Sequence, residues 1–161
     1  MKSEQLQIRV SPAQKRLLQE RARQAGQSVS TYVLARCAPP LLLRFEELTG
    51  SMREAARERL ALAELHDLLE GLTPLELVEQ LTSPPPEQLG PRLRNIVAAM
   101  VEHAAARKGV PAPQWTRTVL PLGTPWFASE LVSLRAHLLR ATPTAFRRRN
   151  LFVDATLGDR T

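Results

Sequence analysis

Three polar side chains near the amino terminus have the types and spacing needed to pair with the edges of DNA bases. In the stretch "QLQIRVSP", Gln5, Gln7 and Arg9 alternate with apolar residues at positions 6, 8 and 10. Successive side chains of a β-strand point to opposite faces, so the three polar residues would share one face. In the major groove, Gln can pair with adenine and Arg with guanine. The alternation predicts a short strand over residues 5–10 that could contact bases.

Two helices are predicted directly after this strand. Ser11 is a suitable N-cap, Pro12 fits the first helical position, and Gln14 can complete a capping box. The helix "PAQKRLLQERARQA" is expected to end at Gly26, since glycine adopts the left-handed backbone at little cost. A second helix begins after Ser28, and the Pro-Pro pair at 39–40 is expected to break or kink it.

A single short strand leaves its backbone hydrogen-bonding groups without partners unless a second edge is supplied. A second copy of the chain could supply that edge, forming an antiparallel ribbon whose apolar face packs on four helices. Gln5, Gln7 and Arg9 would then face outward together, and a two-stranded ribbon fits the major groove. The competing interpretation is an edge strand of an α+β domain with solvated polar side chains.

Residues 4–38, "EQLQIRVSPAQKRLLQERARQAGQSVSTYVLARCA", resemble the ribbon-helix-helix family of dimeric DNA-binding proteins found among bacterial repressors and antitoxins. The resemblance covers the strand, the Ser-Pro helix start, the glycine turn and the "G-x-S-x-S-x-Y" beginning of the second helix. It implies that the homodimer binds double-stranded DNA and that Gln5, Gln7 and Arg9 read bases. "APPLLL" departs from the family pattern, because many relatives continue the second helix further.

The same resemblance implies a phosphate-binding site at the start of the second helix, at Ser28, Val29 and Ser30. A helix N-terminus has free amide groups and the positive end of the helix dipole, both of which suit a phosphate. Lys15 is a further candidate for a phosphate contact. Its competing interpretation is a solvated helix face.

The charge distribution divides the chain into three parts. Lys and Arg number 7 against 2 Asp and Glu in residues 1–40, 4 against 10 in 41–90, and 11 against 4 in 91–161. The fold class predicted is mostly α, with the N-terminal ribbon-helix-helix followed by a helical C-terminal region. Three domains are expected: a DNA-binding and dimerisation domain (1–50), an acidic helical connector with a linker (51–86), and a helical partner-binding domain (87–161).

Helix and strand signals continue through the C-terminal two-thirds. Capping residues, prolines and apolar periodicity predict helices over 41–72 with a break near Gly50, and over 75–81, 91–108, 130–141 and 143–149, with a terminal strand in 150–157.

The last third also resembles the tails of bacterial antitoxins, including those paired with nucleotidyltransferase-like toxins. The segments that carry this resemblance are "PWF" (125–127), "SLRAHLL" (133–139) and "PTAFRRRNLFV" (143–153). Aromatic and Arg side chains dominate interface hot spots. Equally, the aromatics could close a small core and the arginines could be solvated. The residues expected to bind a protein toxin are Trp126, Phe127, Arg135, Phe146, Arg147, Arg148 and Arg149.

The remaining residues give no indication of an enzyme. His66, His103 and His137 are isolated from other metal-ligating residues in the sequence, and we expect no catalytic residues, metal site or cofactor. One cysteine, Cys37, excludes an intramolecular disulfide framework. The sequence has neither a signal-peptide pattern nor a run long enough to span a bilayer, so the expected location is the cytoplasm with no membrane partner.

The sequence thus predicts an antitoxin that represses its own operon as a DNA-bound homodimer and neutralises a toxin through its C-terminal region. Three alternatives stay open. They are a stand-alone ribbon-helix-helix regulator, a partition or structural protein that organises plasmid DNA, and an adaptor whose basic N-terminus meets an acidic protein.

Overall fold

The chain forms two compact units, residues 1–40 and residues 41–161. The structure is a computed structural model that describes residues 7–37 and 40–154. Most of the described residues are helical, as expected, and the sheet among them is a single pair of two-residue strands. No helix in these ranges is both long enough and apolar enough to cross a membrane.

The N-terminal unit contains two helices, α1 (Pro12–Gln24) and α2 (Val29–Cys37), which pack against each other. The predicted capping box at α1 is confirmed: the amide of Gln14 donates to Ser11 Oγ at 3.2 Å, and the amide of Ser11 donates to Gln14 Oε1 at 2.8 Å. Gly26 has a φ of 64° in the turn between the helices, which is the left-handed conformation expected there.

The predicted strand over residues 5–10 is not observed as a strand in the single chain. Gln5 lies outside the described residues, and residues 7–10 belong to no helix or strand. A strand is defined by its hydrogen bonds to a neighbouring strand. The partner that we predicted for this one lies in a second copy, so a single chain leaves the ribbon unformed.

The following helices and strands are joined by short turns and loops. They are α3 (Pro40–Ser51), α4 (Glu58–Gly71), α5 (Pro74–Gln80), α6 (Pro91–Arg107), a 3-10 helix (Gln114–Thr118), β1 (Trp126–Phe127), α7 (Val132–Ala141), α8 (Thr144–Arg147) and β2 (Leu151–Phe152). The predicted break near Gly50 is confirmed, because α3 ends at Ser51 and α4 begins at Glu58.

One apolar core, centred on α6, occupies the second unit. Val97, Ala98 and Val101 of α6 are fully buried, and α4, the 3-10 helix and α8 pack against this helix. The predicted domain boundaries at 50 and 86 do not coincide with the observed units. The same core includes Phe45 of α3. It also includes Leu65 and other leucines of the acidic segment 51–86, because these residues recur at helical spacing.

The two strands are parallel, and Trp126 is in register with Leu151. Asn150, the residue before β2, has a φ of 57°. Its side-chain amide donates to the carbonyl of Leu122 at 2.6 Å. Asparagine tolerates this left-handed conformation better than most residues. The expected terminal strand is therefore present as Leu151–Phe152, and residues 155–157 of the prediction lie outside the described residues.

A buried guanidinium, that of Arg149, connects several parts of this core. Its side chain donates to both carboxylate oxygens of Glu102, at 3.2 and 2.5 Å. Its remaining donors reach Asn95 Oδ1 at 3.2 Å and the carbonyls of Thr116 at 2.6 Å and Val119 at 3.0 Å. These five contacts use all five N–H groups of the guanidinium. The buried charge is thus both paired and fully hydrogen-bonded.

Helix α5 begins with a second capping box. The amide of Glu76 donates to Thr73 Oγ1, and both the amide and the hydroxyl of Thr73 donate to Glu76 Oε2. These two donors, the backbone amide first, hold the pKa of the Glu76 carboxyl below its ordinary value because they stabilise the charged form. The box fixes the position at which α5 begins.

Replacing Arg149 with Met is expected to lower the free energy of unfolding by about 3–5 kcal/mol. The substitution leaves the partly buried Glu102 carboxylate without its charge partner and removes the donors to two buried carbonyls. Urea unfolding followed by circular dichroism measures the change. The matched control is Arg148→Met, because Arg148 is the exposed neighbour in the same run. Equal stability of the two variants would contradict the structural role assigned to Arg149.

Candidate nucleic-acid interface

The predicted base-contacting residues lie just before α1. Gln7 and Arg9 are exposed in the single chain, and Gln5 lies outside the described residues. The capping box at Ser11 fixes the point at which the chain leaves this segment and enters α1. Both described side chains are therefore available to a ligand next to a rigid helix start.

The predicted phosphate-binding residues lie at the start of α2. Ser28 Oγ accepts from the amide of Thr31 at 3.1 Å, and its carbonyl accepts from the amide of Tyr32 at 2.9 Å, so Ser28 is the N-cap as expected. Helix geometry leaves the amides of Val29 and Ser30 without acceptors inside the helix. All three predicted residues are exposed, as is Lys15 in α1. This helix start can therefore accept an anion.

Most apolar side chains of the N-terminal unit remain in contact with solvent. Among its described residues, 7–37, only Ala22 is buried. Ile8 is 61% exposed and Leu34 is 57% exposed, although both are large aliphatic residues. The other large hydrophobic residues exposed in this unit are Val10, Leu17 and Val29. Two short helices with this much exposed apolar surface do not have a core of their own.

The residues predicted to bind a partner lie mainly in or next to α7, α8 and β1, each of which contacts β2. Phe127 stacks on Phe152 with ring centroids 4.8 Å apart. The guanidinium of Arg135 lies 5.1 Å from the centroid of Phe127, and that of Arg92 lies 5.4 Å from the ring of Trp126. Both aromatics are half-buried within the fold, and Arg135 is exposed.

Two of the predicted partner-binding residues belong to the interior instead. Phe146 is 7% exposed and Arg149 is 5% exposed, so neither side chain is available to a partner in this fold. Both are held by the core that forms around α6. Arg147 is exposed but donates to the carbonyls of Arg140 and Thr142, at 3.2 and 3.0 Å. Arg148, by contrast, is simply exposed.

Several residues that matter in the structure were not among the sequence-based candidates. Thr31 shares a 2.8 Å hydrogen bond with Ser28 through their hydroxyls, and the S-x-x-T spacing could have indicated it. Glu102 and Asn95, the partners of Arg149, have no local signal because they lie 47 and 54 residues away along the chain. Within the described ranges, no group of three or more His, Cys, Asp or Glu is arranged to hold a metal ion.

Comparison with protein families gives a match that coincides with the N-terminal unit. Residues 1–38 match the family model "NikA-like", described as "Mobilization protein NikA". No curated protein and no solved structure matches the chain with significance. The family match covers the alternating segment, both helices of the unit and the glycine turn between them. It is consistent with a DNA-binding protein of the ribbon-helix-helix type.

Proposed function

We propose that the protein is a homodimer that binds specific double-stranded DNA through its N-terminal unit. One observation carries the proposal: a two-helix unit with a single buried residue among those described follows a segment that alternates polar and apolar side chains. A second copy of the same unit satisfies both features. Its strand pairs with residues 5–10, and its helices cover the exposed apolar side chains.

The energetics favour this pairing. Full burial of an aliphatic side chain contributes roughly 1.5–3 kcal/mol. Ile8, Val10 and Leu34 are all exposed in the single chain, and the dimer has a twofold-related set of each. The ribbon also supplies partners for the backbone groups of the strand. Dimerisation therefore completes the core of this unit as well as its sheet.

The dimer has the parts that DNA recognition requires. The ribbon would enter the major groove with Gln5, Gln7 and Arg9 toward the bases. The two copies of the α2 N-terminus would bind flanking phosphates through the amides of Val29 and Ser30. The excess of 7 basic over 2 acidic residues in positions 1–40 favours association with a polyanion.

The family match favours plasmid mobilization as the biological setting. A DNA-binding protein of this kind would take part in the relaxosome. The second unit, with its own core, would then serve as the part that contacts other proteins. This role agrees with one of the alternatives left open by the sequence, a protein that organises plasmid DNA.

The antitoxin function remains the second candidate. It is favoured by the clustering of the three antitoxin-like segments, since β1, α7, α8 and β2 form one continuous part of the second unit. Arg135 and Arg148, two exposed residues of that cluster, would contact the toxin. Repression would follow from occlusion of the promoter by the same N-terminal dimer.

Replacing Arg9 with Ala is expected to weaken specific binding by about 1–3 kcal/mol, because a bidentate contact to guanine is lost. The probe is a duplex selected from a random-sequence pool by the wild-type protein, and its affinity is compared with that of a scrambled duplex. Arg9→Ala should reduce the preference between the two. Arg23→Ala, an exposed position at the other end of α1, is the matched control. An unchanged preference in Arg9→Ala would contradict base readout.

Replacing Val29 with Pro is expected to weaken binding to the selected and the scrambled duplex by similar factors. Proline suits the first turn of a helix, so α2 persists, but the amide that would bind a phosphate is removed. Val29→Ala keeps the amide and is the control. Titrations by fluorescence anisotropy measure both. If Val29→Ala lost as much affinity as Val29→Pro, the side chain rather than the amide would be responsible.

Deleting the gene from its native replicon distinguishes the two biological settings. The mobilization role predicts that transfer to a recipient falls while growth of the host is unchanged, and that the Arg9→Ala protein restores transfer poorly. The antitoxin role predicts growth arrest that depends on a neighbouring gene. Normal transfer frequency after the deletion would contradict the mobilization role.

A further inference from the structure

We propose that the second unit has a self-association surface, in which α7 of one copy packs on α5 of another. The interaction joins a basic apolar helix face to an acidic apolar one, with Arg135 paired to Glu79. It goes beyond the proposed function, because it concerns contacts between copies outside the N-terminal dimer and requires no DNA.

The α7 side of this surface is an exposed strip of four residues, named the α7 strip: Val132, Arg135, Ala136 and Leu139. Their spacing of i, i+3, i+4 and i+7 places them on one face of the helix. Val132 is 73% exposed and Leu139 is 48% exposed. Of the ten residues in α7, only Leu138 is buried, and it lies outside the strip. The strip runs about 10 Å along the helix.

Arg135 is already oriented within this strip. Its guanidinium lies 5.1 Å from the ring centroid of Phe127, and the residue as a whole remains exposed. Stacking on an aromatic face fixes the plane of a guanidinium while leaving its N–H edges free to pair with a carboxylate. A carboxylate that reaches the strip therefore meets a donor that has already lost part of its rotamer freedom.

The α5 side consists of Leu75, Val78 and Glu79, named the α5 face. Their spacing of i, i+3 and i+4 places them together, opposite the fully buried Leu77. Leu75 is 64% exposed and Val78 is 41% exposed, and Glu79 is exposed beside them. The seven residues of α5 extend about 10 Å, which matches the length of the strip.

Charge complementarity identifies the occupant as a second copy. The segment 41–90, which includes α5, has 10 acidic and 4 basic residues, whereas 91–161, which includes α7, has 4 acidic and 11 basic residues. A nucleic acid would match Arg135 of the strip but would leave Val132 and Leu139 unused. The α5 face can pair with the charge of the strip and also cover its aliphatic residues, since it has two aliphatic side chains and a carboxylate on one side of the helix.

The contact is small, which determines when it forms. Two helix faces of this length bury far less than the roughly 1,200–2,000 Å² of a stable complex, so association between free units is weak. Each N-terminal dimer carries two second units, so two dimers can bind each other through more than one such contact. Each chain has both faces, and a head-to-tail contact of this kind can continue from one copy to the next.

Sedimentation velocity of the full chain without DNA tests the proposal, over concentrations from about 10 μM to about 1 mM. The wild type is expected to associate beyond the dimer as concentration rises. Arg135→Glu and Glu79→Arg should each weaken this step by about tenfold or more, because like charges then face each other. The double variant, with both substitutions, should restore it. Arg117→Glu and Glu87→Arg, at exposed positions outside α5 and α7, are the matched controls.

The outcomes are distinct. Restoration in the double variant, with controls like the wild type, supports the pairing of Arg135 with Glu79. A wild type without concentration-dependent association, or a double variant as weak as the single ones, overturns it. If Arg135→Glu lowers affinity for the selected duplex but leaves self-association unchanged, the strip contacts nucleic acid instead. The N-terminal dimer is measured at the low end of the series, so its absence would contradict the proposed function separately.

Discussion

The buried guanidinium of Arg149 is the interaction on which the second unit depends most. It joins the side chains of α6 to the carbonyls of the 3-10 helix and of Val119, and it lies two residues before β2. A charge in an apolar interior is tolerated only when it is paired and its donors are satisfied. Glu102 supplies the opposite charge and the carbonyls supply acceptors. The segment from α8 to β2 is therefore fixed to the central helix.

This arrangement explains which parts of the fold were predictable from sequence. Capping residues act locally, so the sequence alone predicts the helix start at Ser11 and Pro12 and the left-handed turn at Gly26. The "FRRRN" run was different, because nothing local distinguishes three successive arginines. Arg149 is singled out by Glu102, and a separation of 47 residues leaves no periodic signal. For the same reason, the sequence does not show that the leucines of segment 51–86 belong to the same core as α6.

The candidate site was predictable to a different extent. Alternation along residues 5–10 is a property of the segment itself, and so is the position of Ser28 at a helix start. The strand that completes the site is predicted to lie in another molecule, so a single chain has the candidate side chains without the ribbon that would position them. The aromatic and arginine residues of the last third are of types that occur both in packed cores and in interfaces. Only the tertiary structure separates Phe146, which is buried, from the exposed Arg135.

Ala22 is the only buried residue among those described in the N-terminal unit, and this has a consequence for how the protein responds to its own abundance. If this unit completes its core only by pairing, then folding and dimerisation form one equilibrium. The concentration of paired units then rises with the square of the concentration of free chains. Occupancy of a DNA site would change more steeply than protein level. A modest fall in synthesis would release the site, while the second units remain folded.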